Sequence, residues 1–187
     1  MNNINKSNQL ERDLYYLRIA KTISLRSKCL SRKIGAVLVK NDSIISGGFN
    51  GPAKGIKHCN ERDVNFYNRL LNLPETVEGE GRLFSQCPRR VYGFKSSEGL
   101  MMCGAAHAER NALIQAARNG ISTLDTTLYA FCSLPCTPCM IEIINAGVKK
   151  IVCLSGEDYD KYSRIIMSEA KIEIRQYEKE LLDAYCK

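Results

Sequence analysis

The chain has 187 residues, 44% hydrophobic and 25% charged, with a formal net charge of +7. That length predicts a single domain able to bury its own core, and that composition excludes a disordered or fibrous polymer. No apolar run approaches the roughly 18 residues of a membrane helix. The opening stretch Met1–Lys6 is polar and has no signal-peptide core, so a cytoplasmic protein is expected.

Residues 1–8 are polar and expected to be disordered. Leu10, Leu14, Leu17, Ala20 and Ile23 recur at three- and four-residue steps, which predicts a helix over about 9–28. Ile34–Val39 and Ser43–Phe49 read as two strands joined through Asn41-Asp42, a hairpin. Residues 50–102 are broken repeatedly by Gly and Pro, a length unexpected in a compact domain unless something organises it. Beyond Cys103 the pattern turns regular: a helix over about 107–119 stopping at Asn119-Gly120, a strand over 126–131, and a helix from Pro135 stopping at Gly147. A strand at 150–154, a helix at 158–169, a strand at 171–176 and a helical tail from Tyr177 follow. Helix and strand alternate here, which predicts an α/β layer sandwich on a mixed sheet.

Two short motifs carry chemistry: His107-Ala108-Glu109 and Pro135-Cys136-Thr137-Pro138-Cys139. One His and two Cys fill three corners of a tetrahedral zinc site and leave the fourth for water. Glu109 is then free to move that water's protons, whereas a structural zinc would take four protein ligands and need no carboxylate. Taken alone, Cys136-x-x-Cys139 also reads as a redox pair or a zinc ribbon, and the redox reading leaves His-x-Glu unexplained. The chain holds nine cysteines, an odd number, and in a reducing compartment clustered Cys read first as metal ligands. The positive charge suits an anionic partner such as a nucleotide phosphate, or else a solvated basic surface. No basic block is long enough for a nucleic-acid tail, and no nucleic-acid partner is expected.

The combined pattern His-x-Glu and Pro-Cys-x-x-Cys is the signature of zinc nucleobase deaminases. Arg26–Cys29, Ile34–Val39, Gly48–Cys59, His107–Leu113, Leu134–Cys139 and Ile143–Val152 together resemble the deoxycytidylate (dCMP) deaminases, in register order over about 26–176. The resemblance implies a three-layer fold like that of cytidine deaminase, with a five-stranded mixed sheet flanked by helices, as one domain over 1–187 carrying an insert at 60–102. It implies hydrolytic deamination of dCMP to dUMP and ammonia, supplying dUMP for thymidylate synthesis. It makes Glu109 the catalytic acid and base, with His107, Cys136 and Cys139 as ligands of a catalytic Zn2+. It also implies that Asn50 contacts substrate and that Ser27 lies near the phosphate. Arg26 is chemically suited to phosphate, although helix-surface charge explains it equally well. Asn50-Gly51 taken alone reads as a turn. Two departures from the family are Ala53, where Pro is common, and Phe49, where Tyr is usual.

The same resemblance implies a second, structural zinc built from Cys29 and Cys59, with Cys87 and Cys103 as plausible completions and His58 as a possible substitute. Such a metal would organise the insert; scattered free cysteines are the alternative. Cys132 and Cys153 are expected in strands as core residues, with Cys186 unassigned. Family likeness further suggests a hexameric homo-oligomer activated by dCTP and inhibited by dTTP. The rival readings are a tRNA adenosine deaminase, more distantly a riboflavin-pathway or free-base deaminase, and a zinc-stabilised binding protein without activity.

Overall fold

The computed structural model describes residues 3–95, 98–157 and 160–185. In chain order the elements are helix α1 (Asn3–Ser24), strands β1 (Gly35–Lys40), β2 (Ser43–Phe49) and β3 (Gly51–Pro52), helices α2 (Val64–Leu70) and α3 (Pro88–Val91), and strand β4 (Ala105–Ala106). Helix α4 (Ala108–Arg118), strand β5 (Thr127–Ala130), helix α5 (Thr137–Asn145), strand β6 (Lys150–Leu154), helix α6 (Tyr162–Glu169), strand β7 (Glu173–Tyr177) and helix α7 (Lys179–Ala184) complete it. Among the described residues, no helix is long and apolar enough to cross a membrane.

The main sheet has five strands in the order β2-β1-β5-β6-β7, antiparallel on its β2 side and parallel from β5 to β7. The expected hairpin is present. Asn41 (φ 48°) and Asp42 (φ 60°) both take left-handed backbone, as a two-residue turn matched to strand twist demands. Alternation along the strands builds two cores. Ala36, Leu38, Leu128, Ala130, Ile151 and Cys153 face α4 and α5, while Val37, Val39, Tyr129, Val152 and Leu154 face α1 and α7. The central strands are buried on both faces and the molecule has three layers, as expected for strands running between helices.

Several boundaries differ from the sequence expectation, among them both ends of α1 and the start of α6. Helix α1 begins at Asn3, so residues 3–8 are helical and not disordered; residues 1–2 lie outside the described residues. Once nucleated by the packed turns around Leu14 and Leu17, a helix propagates through a polar stretch that contains no Gly or Pro, and Gln9 ties back to Asp13 at 2.9 Å. At the other end α1 stops at Ser24, not 28, because Leu25, Arg26 and Ser27 bond to the carbonyls three residues back and tighten the chain into a turn. Helix α6 starts at Tyr162; the 158–159 portion of its expected range falls outside the described residues.

The insert at 60–102 is organised by its own side chains. Asn65 clamps Thr76 from both sides, donating to its carbonyl at 2.8 Å and accepting its N–H at 3.1 Å. The Tyr92 hydroxyl donates to Asn68 at 2.6 Å, and Tyr67, Phe84 and Met102 form a small core, with the Tyr67 and Phe84 rings edge to face at 5.1 Å. Helix α4 lies directly on the sheet: a Cβ at Gly48 would meet Ala108 O and Ala112 N at 2.4 Å each. Ser46 Oγ donates to Ala112 O at 2.6 Å and Asn111 Nδ2 to Phe49 O at 2.8 Å, stapling the same helix to β2.

Candidate active site

Both signature motifs sit at helix starts. His107 is the N-cap of α4, and Cys136 is the N-cap of α5; each is extended, and neither spends its side chain on capping. The first-turn proline of α5 is Pro138, not Pro135, because the helix begins one residue after Cys136. Both side chains are thereby aimed at one point from two helix N-termini, where the dipoles favour thiolate.

Nδ1 of His107 lies 3.3 Å from Sγ of Cys136 and 3.3 Å from Sγ of Cys139. The ligand atoms of these three residues all lie within 4.8 Å of one another, the one such group of His, Cys, Asp or Glu among the described residues. An N-to-S edge of a tetrahedral zinc site, built from ordinary Zn–N and Zn–S bonds, is roughly 3.5 Å, so this donor set fits that ion. Hydrogen bonding from Cys139, reinforced by His107 against the cost of burial, pulls the Cys136 thiol down to about 4. Cys139, donating to that thiolate and itself buried, moves up. His107 is raised by its bond to Cys136.

Glu109, in the first turn of α4, is 3% exposed, and burial raises its carboxyl above the ordinary range. One oxygen, Oε1, faces the Cys132 thiol at 3.8 Å; the other, Oε2, is buried without a hydrogen-bond partner. A buried carboxylate oxygen left unpaired is costly and in a native site calls for a ligand. Asp160, just ahead of α6, supports the cysteine loop from outside. It accepts the Thr137 N–H at 2.8 Å, the Thr137 hydroxyl, and the Ser163 N–H at 2.9 Å. These bonds outweigh burial and hold its carboxyl below the usual value.

A cavity of about 100 Å3 opens over His107, Glu109 and Cys136. Asn50 lines it, buried, with Oδ1 accepting the Ile34 N–H at 2.8 Å and Nδ2 donating to Arg32 O at 2.9 Å. Each end of that amide keeps one further bonding position. Ser27 is buried behind Asn50 and donates to its carbonyl at 2.8 Å, so it supports the wall without lining the cavity. Arg26 is not brought to the cavity; its guanidinium lies 5.7 Å from the Phe49 ring centre. Arg32 and Arg89 line the wall in its place, and Cys132 joins them. None of the three was singled out for this wall from sequence. Arg89 lies 18 positions before His107 and reaches it only through the folding of the insert.

Cys29, Cys59, Cys87 and Cys103 also converge. All four line a cavity of about 230 Å3 together with His58, and the other three act electrostatically on the Cys59 thiol, which burial raises. They do not close to the spacing of the His107 group. Cys29 and Cys103 line the active cavity as well, so the two cavities share a wall. The eight described cysteines are free thiols. Cys153 is buried in β6, as expected, whereas Cys132 lies just past β5 and faces Glu109.

A mixed five-stranded sheet between helices, with His, Glu and two Cys gathered at two helix N-termini, defines a zinc-site deaminase architecture. The family model "Cytidine and deoxycytidylate deaminase zinc-binding region" matches residues 10–155, and the chain belongs to that family. Deoxycytidylate deaminase of Enterobacteria phage T4 is 38% identical over 154 residues, covering 78% of this chain and 77% of the phage protein. Deoxycytidylate deaminase of Schizosaccharomyces pombe is 28% identical over 165 residues, 88% of this chain but 44% of the yeast protein. The chain thus spans less than half the length of that relative. The dCMP deaminase of cyanophage S-TIM5, solved in complex with dCMP and dUMP, superposes with a TM-score of 0.60 at 25% identity, covering 94% of this chain and 98% of the other.

Proposed function

We propose that this chain is an enzyme that converts dCMP to dUMP and ammonia. The observation that carries the reading is Glu109: a buried carboxylate with one unpaired oxygen beside a His/Cys/Cys donor set, at the floor of a cavity. The phage T4 relative bears the name deoxycytidylate deaminase, and the cyanophage neighbour was solved with dCMP and dUMP; both support the choice of base and nucleotide.

His107, Cys136 and Cys139 would hold Zn2+. A zinc so held acidifies water towards neutral pH and supplies the nucleophile. Oε2 of Glu109 takes a proton from the attacking water as oxygen bonds to the amine-bearing carbon. The same oxygen delivers that proton to the ring nitrogen, then takes the second proton from the newly formed hydroxyl and passes it to the departing amine, which leaves as ammonia while the ring carbon becomes a carbonyl. The raised proton affinity of Glu109 suits it to carry a proton between these steps. Asn50, anchored through Ile34 and Arg32, is placed to hold a base edge or sugar hydroxyl with its remaining bonding positions.

Cys29, Cys59, Cys87 and Cys103 form the ligand set of a second, structural zinc in this reading. Their convergence on one cavity supports it. Metal content near two zinc ions per chain is expected, and a value near one removes the second site. The exposed Ile114, Ile121, Leu124 and Ile141 on and beside α4 and α5 support self-association, which the family likeness makes hexameric, with dCTP and dTTP as regulators. The free thiols support a reducing, cytoplasmic setting.

The test is ammonia release across dCMP, CMP, dCTP, deoxycytidine and a tRNA anticodon stem-loop. Turnover highest on dCMP is expected. Turnover on the stem-loop alone would assign a tRNA adenosine deaminase, and zinc binding without turnover would assign a binding protein.

A further inference from the structure

One polar contact in the active cavity is not used by the chemistry above. Cys132 stands just past the end of β5, and its backbone is fastened on both sides. The Phe131 N–H donates to Gly35 O of β1 at 2.8 Å, and the Leu154 N–H of β6 donates to Cys132 O at 2.8 Å. The sheet thereby fixes where this thiol enters the cavity wall. Its Sγ lies 3.8 Å from Oε1 of Glu109, within the reach of a sulfur hydrogen bond. Desolvation pushes the Cys132 thiol well above its ordinary value, so the proton stays on sulfur and sulfur is the donor. Among the described residues this is the one side-chain hydrogen bond that Glu109 makes, and its own backbone N–H also acts on the carboxylate. Oε2, buried and unpartnered, is left to the cavity. Cys132 stands outside the His107, Cys136 and Cys139 donor group. Cys153 on β6 shows the contrast: it is fully buried in the apolar cluster and does not line the cavity.

We propose that Cys132 is a positioning residue for the deamination, its thiol gripping Oε1 of Glu109 so that Oε2 alone is presented to the substrate. The last torsion of a glutamate side chain is broad and roughly two-fold, so an ungripped carboxylate offers either oxygen at many tilts. Oε2 has to lie within hydrogen-bond reach of the attacking water, the ring nitrogen and the amine in turn. One donor on the opposite oxygen, held by two neighbouring strands, supplies that constraint. The weakness of a thiol donor suits the task. A charged donor such as an arginine would hold the negative charge on the carboxylate and oppose its taking up a proton. The role rests on the deaminase reading for what Oε2 does, but the contact between thiol and carboxylate does not.

The experiment has two arms on the zinc-loaded protein. In the first, the S–H stretch of Cys132 is isolated in the infrared by subtracting the spectrum of Cys132→Ala from that of the parent. The same subtraction is made in a Glu109→Ala background. A thiol that donates to a carboxylate absorbs at lower frequency than one that does not, so the band should move up when Glu109 is removed. In the second arm, kcat and KM for dCMP are measured for the parent, Cys132→Ala and Cys132→Ser. Loss of the grip should lower kcat by about ten- to a hundredfold, with KM little changed because the thiol does not hold the nucleotide. Serine, whose hydroxyl also donates, should recover part of that loss, and zinc content should match the parent in both variants. A band that stays in place without Glu109, a kcat for Cys132→Ala equal to the parent's, or equal losses in the Ala and Ser variants overturns the role. A band that moves in a protein that deaminates nothing retains the grip of thiol on carboxylate and removes the deaminase reading.

Discussion

Glu109 was legible in the sequence as the proposed proton carrier because it stands two residues after His107, a candidate metal ligand, and the surrounding fold adds its depth. What the spacing could not convey is that burial leaves Oε2 without a partner, or that a thiol, Cys132, faces the other oxygen. Asn50 was legible as a residue of interest and not in its manner of bonding, since both ends of its amide are anchored to backbone brought in from residues 32 and 34. Replacement of Glu109 by Gln keeps shape and removes the proton carrier. Zinc content should stay at the parent value, because His107, Cys136 and Cys139 are untouched, while turnover falls by about 10²–10⁴. The same variant has a stability signature in the metal-free protein. The carboxyl of Glu109 is raised in the folded state, so the folded chain holds a proton that the unfolded chain releases from about pH 4 upward. Parent stability therefore drops as pH rises through that range, whereas the amide of the Glu109→Gln variant does not titrate. Denaturant midpoints across pH 3–8 should show the variant gaining on the parent as pH rises. Equal turnover in the two proteins would remove Glu109 from the mechanism.

At the scale of elements, periodicity located α4, β5, α5 and β6 because each buries a face against the sheet, and burial follows period. The limits of α1 escaped it, since helix propagation into a polar stretch and its closing turn leave no apolar signature. The insert escaped it too, because its order comes from Asn65, Asn68 and Tyr92 bonding over short loops and from three apolar side chains far apart in sequence. Gly48 is instructive in a different way. It opens the stretch Gly48–Cys59, which carries part of the family resemblance and holds Asn50, yet Gly48 itself serves helix packing. A methyl there collides with backbone of α4, which cannot move aside as a flexible side chain can. Gly48→Ala should therefore cost about 3 kcal/mol and displace the helix that carries His107 and Glu109, so zinc affinity should fall along with stability. Gly55, with φ of 85° and open space around it, serves as the control: Ala there meets only the left-handed backbone cost of about 1 kcal/mol. Urea denaturation and zinc titration of the two variants separate them, and a Gly48→Ala protein as stable as the parent would show that α4 can lift without loss.

Across the whole molecule, the layer opposite the active site is pinned through one buried acid. Asp13 on α1 is fully buried and accepts the hydroxyls of Tyr129 on β5 at 3.0 Å and Tyr177 on β7 at 2.8 Å. Arg175 Nε lies 2.8 Å from its Oδ2 as the compensating charge, close but not aligned as a hydrogen bond. Helix α1 is thus tied to an inner strand and to the far edge strand, which makes the network a monitor of global folding. Burial, and then the bonds to Asp13, raise both tyrosines well above their ordinary value. Tyr16, buried and donating to Asp42, is pushed up to about 12. An unfolded tyrosine ionises near pH 10. Between that value and the folded ones the unfolded chain has released protons that the folded chain still holds. Stability is accordingly intact below about pH 10 and lost as pH rises towards 12 and beyond. Tyr16, Tyr129 and Tyr177 should ionise only together with loss of the far-ultraviolet circular dichroism, in one cooperative step. Asp13→Ala strips two hydroxyls of their acceptor and leaves Arg175 only its half-exposed partner Glu173 at 3.1 Å; it should cost about 3–5 kcal/mol at neutral pH, moving that step to lower pH. Gradual ionisation of all the tyrosines in a protein that keeps its helix signal would show that the Asp13 network does not hold the layers together.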